Sequence, residues 1–335
     1  MTASWMKVSL LCILFSCFVT TAYSCTKGED FGVLSVNETS MEVDTVSVMT
    51  EPYKEWGPDS SVKISEFGPL SFYHQSAARY QHYAFFVKDG RSEICLYDLK
   101  SKTKLYTLSL KVQNRKVYHC NQSTFGVDKY DPSDFFPLLY ISQRDKSGGR
   151  CMLDAYRILP VFDDGGGSIV SFNVQLVQTV YLPPMSSSNS LGNANCAIDA
   201  SKKVMYVYSR NNNDQDDNYQ MCKISEFAIP DVHRPQVVLE DTDILSSFML
   251  DISAENMQGG CIDNGMLYIG QGLYSAGYIL LNVIDLEKKE LAMQVDLMEL
   301  GVRWEPEGCF FYDGSVMLAH TGAICRIEKK GKWLH

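Results

Sequence analysis

The sequence predicts an all-β fold: a β-propeller of five four-stranded antiparallel blades, closed by a strand from the N-terminal segment. Three observations support this prediction. A Cys-containing first strand followed by a second strand rich in aliphatic residues or Tyr recurs along the 335-residue chain. Apolar and polar residues alternate within the predicted strands, and turn residues such as those at 88–90 separate them. No long helical pattern competes, and short strands repeated at this spacing are typical of propellers.

Five repeated units account for the chain from about residue 70 to its last residue. Their first strands are predicted at 72–80, 119–126, 195–199, 259–263 and 308–313. In the third unit the fourth strand is assigned to 235–241, and a helical periodicity over 239–256 indicates a short inserted helix. The fifth unit lacks a complete fourth strand.

The N-terminal segment offers the missing strand. Residues 42–52 and 62–69 have strand-like patterns, and the five residues at 63–67 recur at 223–227, on the third strand of the third unit. Pairing the first strand with the last blade removes an exposed sheet edge. The sequence leaves open whether this segment completes a fifth blade or belongs to a sixth. We predict five blades in one domain over 41–335.

The composition argues against one class of partner. Hydrophobic residues make up 45% of the chain and charged residues 21%, as in an ordinary globular protein. The formal net charge is −10. An acidic chain without a Lys/Arg cluster does not suit nucleic acid, which is bound largely by neutralising its phosphates. We expect a monomer whose ligand is a glycan, a peptide or a partner protein.

The first 24 residues have the form of a signal peptide. Lys7 precedes the apolar run 8–19, which is too short to span a membrane. Residues 22–24 have the small–x–small form that signal peptidase cleaves, and the same stretch before Cys25 resembles a bacterial lipobox. Both routes stay open. We predict lipidation at Cys25, a linker over 25–40, and export to the outer membrane, cell surface or periplasm. Secretion as a soluble protein is the alternative.

Eight cysteines follow residue 25, and they recur at two places in the units. First strands carry Cys120, Cys196, Cys261 and Cys309, and third strands carry Cys95, Cys151, Cys222 and Cys325. First and third strands of one sheet lie about 9–10 Å apart, whereas a disulfide needs Cα atoms within about 7 Å. The register therefore predicts buried core residues with free thiols rather than a disulfide framework.

Candidate ligand-binding residues lie at the blade entries. In a propeller, the links from one outer strand to the next inner strand meet at one mouth of the central channel. The predicted site consists of His74, His119, Asn195, Gln258, Trp304, Glu305 and Glu307. Amides and carboxylates are oxygen donors, suited to Ca²⁺ or to sugar hydroxyls. A carboxylate beside a His can also transfer protons, and an aromatic ring can stack on a sugar.

The most distinctive local motif is Glu305-Pro306-Glu307-Gly308. Pro306 fixes φ, and Gly308 permits a tight entry into the inner strand, so part of the motif is structural. Two interpretations of Glu307 stay open. Its carboxylate binds a cation or ligand within the channel, or the carboxylates of the motif cap backbone amides at a blade turn.

This entry, followed by a strand, an Asp-Gly turn and another strand, resembles a group of extracellular bacterial propellers. They include phytase-like, lactonase-like and helveticin/teichoic-acid-protein-like families, and residues 257–322 carry the resemblance. In the lactonase-like relatives, a Glu at a blade entry coordinates a divalent metal together with Asn and Asp from other blades. The resemblance thus implies Glu307 and Asn195 as ligands of a metal such as Ca²⁺.

Two functions follow from these observations. The first is a lipid-anchored binding or scaffold module of the cell envelope. The alternative is a metal-dependent lactonase- or esterase-like hydrolase, with Glu307 on the metal and His74 or His119 as the base. An enzyme of this kind should bring three or four oxygens within about 2.6 Å of one point. We favour binding because only one carboxylate motif enters the channel, and fold similarity alone does not transfer function.

Overall fold

The strands form five sheets arranged in a ring. The computed structural model describes residues 62–70, 73–88, 93–110, 120–144, 150–163, 169–184, 191–211, 220–320 and 322–329. The helices within these ranges are two single 3-10 turns, Asp241–Asp243 and Tyr274–Ala276. Neither is long and apolar enough to cross a membrane. The predicted five-bladed, all-β propeller is confirmed.

Each blade contains four antiparallel strands from the channel outwards, and the second blade carries a fifth strand at its outer edge. Numbered along the chain, the strands are β1 (Val62–Pro69), β2 (Ser76–Tyr80), β3 (Tyr83–Lys88), β4 (Glu93–Asp98), β5 (Thr103–Ser109), β6 (Ser123–Phe125), β7 (Leu139–Arg144), β8 (Arg150–Phe162), β9 (Ile169–Pro184), β10 (Leu191–Asp199), β11 (Val204–Asn211), β12 (Met221–Ala228), β13 (Gln236–Val238), β14 (Ile244–Ser253), β15 (Met257–Asp263), β16 (Met266–Leu273), β17 (Tyr278–Asp285), β18 (Glu290–Asp296), β19 (Gly308–Tyr312), β20 (Ser315–His320) and β21 (Ala323–Lys329). From the inside outwards, the five blades are β2-β3-β4-β5, β6-β7-β8-β9, β10-β11-β12-β14, β15-β16-β17-β18 and β19-β20-β21-β1.

The N-terminal strand closes the ring. β1 takes the outer place in the fifth blade and pairs antiparallel with β21, which confirms the closure predicted from the sequence. The Phe67 ring packs edge-on against Tyr312 of the same blade, with centroids 6.0 Å apart. The ammonium of Lys102, from the first blade, lies 4.4 Å from the Phe67 centroid. This one side chain therefore joins the last blade to the first. The strand-like segment 42–52 lies outside the described residues.

The outer strand of the third blade corrects two predictions. β14 occupies this place instead of residues 235–241, and it runs through 239–256, where the periodicity indicated a helix. Leu250 and Ile252 are buried at alternate positions, as in a strand with one face on the core. Over so short a segment, a half-buried strand and a helix can place apolar residues at similar spacings, and strand pairing decides between them.

The segment first assigned to that outer strand belongs to another blade. β13 pairs parallel with β9 and adds a fifth strand to the second sheet. Val237 is buried there, in the apolar cluster that joins the second and third blades. The chain thus crosses to the outer edge of the neighbouring blade between β12 and β14, and this placement buries Val237 while Val238 stays exposed.

The described cysteines are all free thiols, as predicted. Four lie on third strands, as expected: Cys95, Cys151, Cys222 and Cys325. Cys196, Cys261 and Cys309 lie on inner strands, but Cys120 comes three residues before β6 and corrects that assignment. The reason is that β6 is only three residues long, so the second blade has the shortest inner strand. Cys261 and Cys309 lie on adjacent inner strands with their sulfurs 3.6 Å apart.

Candidate functional site

Five residues that lie just before or within the inner strands surround one end of the channel. They are Gln75, Gln122, Asn195, Gly259 and Glu307. All four side chains are buried, and their hydrogen bonds reach other blades. We call this end of the channel, bounded by these five residues, the channel mouth. The fold brings these residues together because every blade entry delivers the chain from the outside of the ring to its centre.

Gln122 ties the second blade to the fourth. Its Nε2 donates to the Gly260 carbonyl at 2.6 Å, and the Gly260 N–H donates to its Oε1 at 2.9 Å. Space for this side chain exists because residue 259 is Gly. A Cβ at Gly259 would lie 2.9 Å from Gln122 Oε1 and 2.9 Å from the Glu307 carbonyl. The Gln122 amide therefore satisfies both backbone groups of a buried residue, which makes it a structural cross-link.

Glu305 and Glu307 form an acidic pair beside this cross-link. Both carboxylate oxygens of the buried Glu307 accept hydrogen bonds, from Gln75 Nε2 at 2.6 Å and from the Tyr73 hydroxyl at 3.3 Å. The half-buried Glu305 accepts from Gln258 Nε2 and shares a hydrogen bond with the Glu307 carboxyl. Burial raises the pKa of Glu305, and the hydrogen bond with Glu307 partly offsets this.

Three amide oxygens, on Gln258 and on two side chains that donate to the Met257 carbonyl, accept no hydrogen bond from the described residues. Nδ2 of Asn121 and of Asn195 both donate to the Met257 carbonyl, at 2.8 and 3.2 Å, and Asn195 also reaches the Gln258 carbonyl at 3.3 Å. A carbonyl only accepts, so the amide nitrogens must face it, and this fixes where the oxygens lie. The side-chain oxygens of Asn121, Asn195 and Gln258 are buried without a donor among the described groups.

Exposed aromatic residues flank the channel mouth. Tyr73 is 53% exposed and Trp304 is 54% exposed, and they come just before the entries of the first and fifth blades. Tyr274, in the turn after β16, is equally exposed, and the Arg303 guanidinium carbon lies 6.0 Å from its ring centroid. Arg303 itself is held by the Met298 carbonyl at 2.6 Å. We call Tyr73 and Trp304 the aromatic rim.

The structure brings most of the predicted site residues to one place. Four of them meet in the hydrogen-bonded group at the channel mouth: Asn195, Gln258, Glu305 and Glu307. Trp304 belongs to the aromatic rim. The hydrogen-bond partners identified above for both carboxylates of the motif are side chains.

The predicted histidines do not join this group. His74 is fully buried, and its ring packs edge-on against Phe86 with centroids 5.2 Å apart, in the core between the first and fifth blades. A proton-transfer role for His74 would require a path into that core. His119 lies outside the described residues, and so does the predicted lipidation site, Cys25.

The implied metal ligands, Glu307 and Asn195, differ in what they offer. Both oxygens of Glu307 already accept hydrogen bonds, so a metal would have to displace Gln75 or Tyr73. Asn195 offers only its side-chain oxygen, since its nitrogen donates to backbone carbonyls. Within the part of the chain that the structure describes, no group of three or more His, Cys, Asp or Glu side chains is arranged to hold a metal ion. Amide and carboxylate oxygens are nonetheless the ligand types that Ca²⁺ takes.

The sequence reasoning missed Gln122 as a member of the site, and a signal for it was present. Gln-Ser occurs at 75–76 and again at 122–123, directly at the starts of β2 and β6. When the units are aligned on this dipeptide, Gln122 is equivalent to Gln75. Aligning the units on their histidines instead favours His119 as a site residue.

Comparison with known proteins gives only distant similarity. No family model matches the sequence, and no curated protein matches it. Glutaminyl cyclase of Myxococcus xanthus is similar with a TM-score of 0.45 and 10% identity, over 83% of this chain and 98% of that one. BamB of Moraxella catarrhalis gives 0.33 and 9%, over 78% and 59%. A luciferin-regenerating enzyme gives 0.41 and 12%, over 81% and 96%. The propeller assignment therefore depends on the five sheets themselves.

Proposed function

We propose that this protein is a binding module whose ligand, a glycan, a peptide or a partner protein, docks at the channel mouth. One observation carries the proposal. Two large aromatic side chains, Tyr73 and Trp304, each expose about half of their surface. Tyr73 donates to the buried Glu307, and Trp304 directly precedes Glu305 in the chain. Exposed aromatic residues supply contact area, and polar groups next to them supply orientation.

A divalent-metal-dependent hydrolase is the second candidate. The observation that favours it is the set of buried amide oxygens of Asn121, Asn195 and Gln258, which Ca²⁺ can use as ligands. We rank it second because the carboxylate oxygens of Glu307 already accept hydrogen bonds from Gln75 and Tyr73. The binding function needs no such rearrangement.

We further propose that the protein acts in the cell envelope, anchored by a lipid on Cys25. The support is the sequence alone: one basic residue, an apolar run at 8–19, and a Cys directly after a lipobox-like stretch. The test is metabolic labelling of the expressed full-length chain with a fatty acid. Label should enter the wild type and be absent from Cys25→Ser, and equal labelling of both chains would rule out this anchor.

Glycan and peptide arrays probed with the fluorescently labelled mature protein test the binding function. Trp304→Ala should weaken retention on any array feature by about tenfold or more, because a buried aromatic contact contributes over 1 kcal/mol. Phe162→Ala is the matched control. Phe162 is 52% exposed, and it lies at the far end of β8, beyond the last residue that pairs with β7. Features that bind both variants as well as the wild type would contradict a ligand at the channel mouth.

A further inference from the structure

We infer that the channel mouth anchors its ligand through a primary ammonium group. This inference rests on the proposed binding function and names the chemistry of the ligand. The anchoring group consists of the side-chain oxygens of Asn121, Asn195 and Gln258 together with the acidic pair, Glu305 and Glu307. We call these five side chains the acceptor group.

The acceptor group contains side-chain oxygens that accept no hydrogen bond from a described residue, whereas each of its amide nitrogens already donates at least one. The amide nitrogens of Asn121 and Asn195 are used by the Met257 carbonyl, and that of Gln258 is used by Glu305. Asn195 is 2% exposed and Gln258 is 5% exposed, so their oxygens are buried without a hydrogen bond from a described residue. A buried acceptor left unpaired is costly. A primary ammonium supplies three N–H donors, which matches three amide oxygens.

Charge favours a monovalent cation over Ca²⁺ and over a neutral group. Of the five side chains of the acceptor group, two are carboxyl groups, Glu305 and Glu307, and none is basic. A cation therefore complements this acidic group better than a neutral group does. A hydroxyl would satisfy the amide oxygens but leave the charge unbalanced, and Ca²⁺ would need more free carboxylate oxygens than Glu307 has available.

The surroundings give the ammonium a route and the rest of the ligand a surface. Glu305 is half-buried, so solvent reaches part of this carboxyl group, whereas the three amide oxygens are buried behind it. Tyr73 and Trp304 flank the mouth with half of their surface exposed. Their rings suit the carbon atoms that carry an amine, and a ring face also attracts the cation itself. Lysine side chains and amino sugars both present a primary ammonium in this way.

Two pairs of probes test the inference by calorimetry or ligand-detected NMR on the mature protein. N-acetyl-lysine amide is compared with N-acetyl-norleucine amide, and glucosamine is compared with glucose. In at least one pair the amine should bind at least tenfold more tightly than its neutral partner. Glu305→Gln should remove most of that preference, whereas Glu299→Gln, an exposed residue in the same loop with the same change of charge, should keep it.

The outcomes separate the inference from the function on which it rests. Equal binding of amine and neutral probes that is lost in Trp304→Ala would overturn the ammonium and keep the binding module. Ca²⁺ that raises the melting temperature of the wild type but not of Glu305→Gln would also overturn it, in favour of a metal. If no probe binds and the arrays show no feature that depends on Trp304, both proposals fail.

Discussion

Replacing Gln122 with Glu tests the cross-link at the centre of the ring. The substitution keeps the size and shape of the side chain but exchanges its donor for a carboxylate oxygen. One oxygen can still accept from the Gly260 N–H, whereas the other now faces the Gly260 carbonyl, to which Nε2 donates at 2.6 Å. At neutral pH the buried side chain thus loses one hydrogen bond and opposes two acceptors.

The expected cost follows from these two changes. A lost hydrogen bond is worth about 1 kcal/mol, and an unsatisfied buried group costs about 1–3 kcal/mol more, so Gln122→Glu should lower the free energy of unfolding by about 3 kcal/mol at neutral pH. Protonation restores the donor. The folded-state pKa of the new carboxyl should therefore rise about two units above its unfolded value of about 4.3. Stability matches the wild type below pH about 4.3 and is lost as the pH rises through about 6.5.

Urea unfolding of the wild type and the variant from about pH 4 to about pH 8 measures this difference. Subtracting the wild-type curve removes the contribution of other titrating groups. Gln236→Glu is the matched control, because Gln236 is exposed on β13 and the same change there should be nearly neutral at every pH. A variant difference that stays flat across this pH range, or that stays within the range of the control, would refute the cross-link.

Two further predictions concern how tightly the blades fit. Gly308→Ala would place a Cβ 2.5 Å from the Ala77 Cβ and should lower the free energy of unfolding by about 3 kcal/mol. Gly314→Ala is the control: its Cβ meets no neighbour, and because Gly314 has φ +71° the change should cost about 1 kcal/mol. Similar shifts in melting temperature for both variants would contradict this packing. Phe67→Ala should lower the free energy of unfolding by about 2 kcal/mol. A double-mutant cycle with Tyr312→Ala, measured by urea unfolding, should give a coupling energy of about 1 kcal/mol. A coupling energy of zero would mean that the closing strand does not pack against Tyr312 as described.

Much of the architecture was readable from the sequence because each blade repeats its own local pattern. Alternation at 62–69, and its echo at 223–227, indicated the closing strand before any long-range contact was known. The same reasoning did not predict the outer strand of the third blade. Val237 lies in a strand-like segment that joins a different sheet, and local alternation carries no information about which neighbour a strand will choose.

The sequence predicts where the site residues lie, but it does not predict the hydrogen bonds between them. Residue type marked Asn195, Gln258 and Glu307 as polar residues at blade entries, where the topology gathers them. It did not reveal that Gln122 crosses the channel, since that contact joins residues 138 positions apart. It also favoured His74, although that ring packs against Phe86 in the core. A lone His in a strand pattern looks the same in a sequence whether its ring is buried or exposed to ligand.

Counting the satisfied atoms separates structural amides from available ones at the channel mouth. Gln122 uses both ends of its amide on Gly260, so its nitrogen and its oxygen each already have a structural partner. Asn195 uses its nitrogen and leaves its oxygen without a described donor. The two residues have the same chemistry and similar burial, yet their loss should have different consequences. Changes at Gln122 should appear in unfolding experiments, and changes at Asn195 should appear in ligand binding, because only Asn195 has a buried oxygen without a described hydrogen-bond partner.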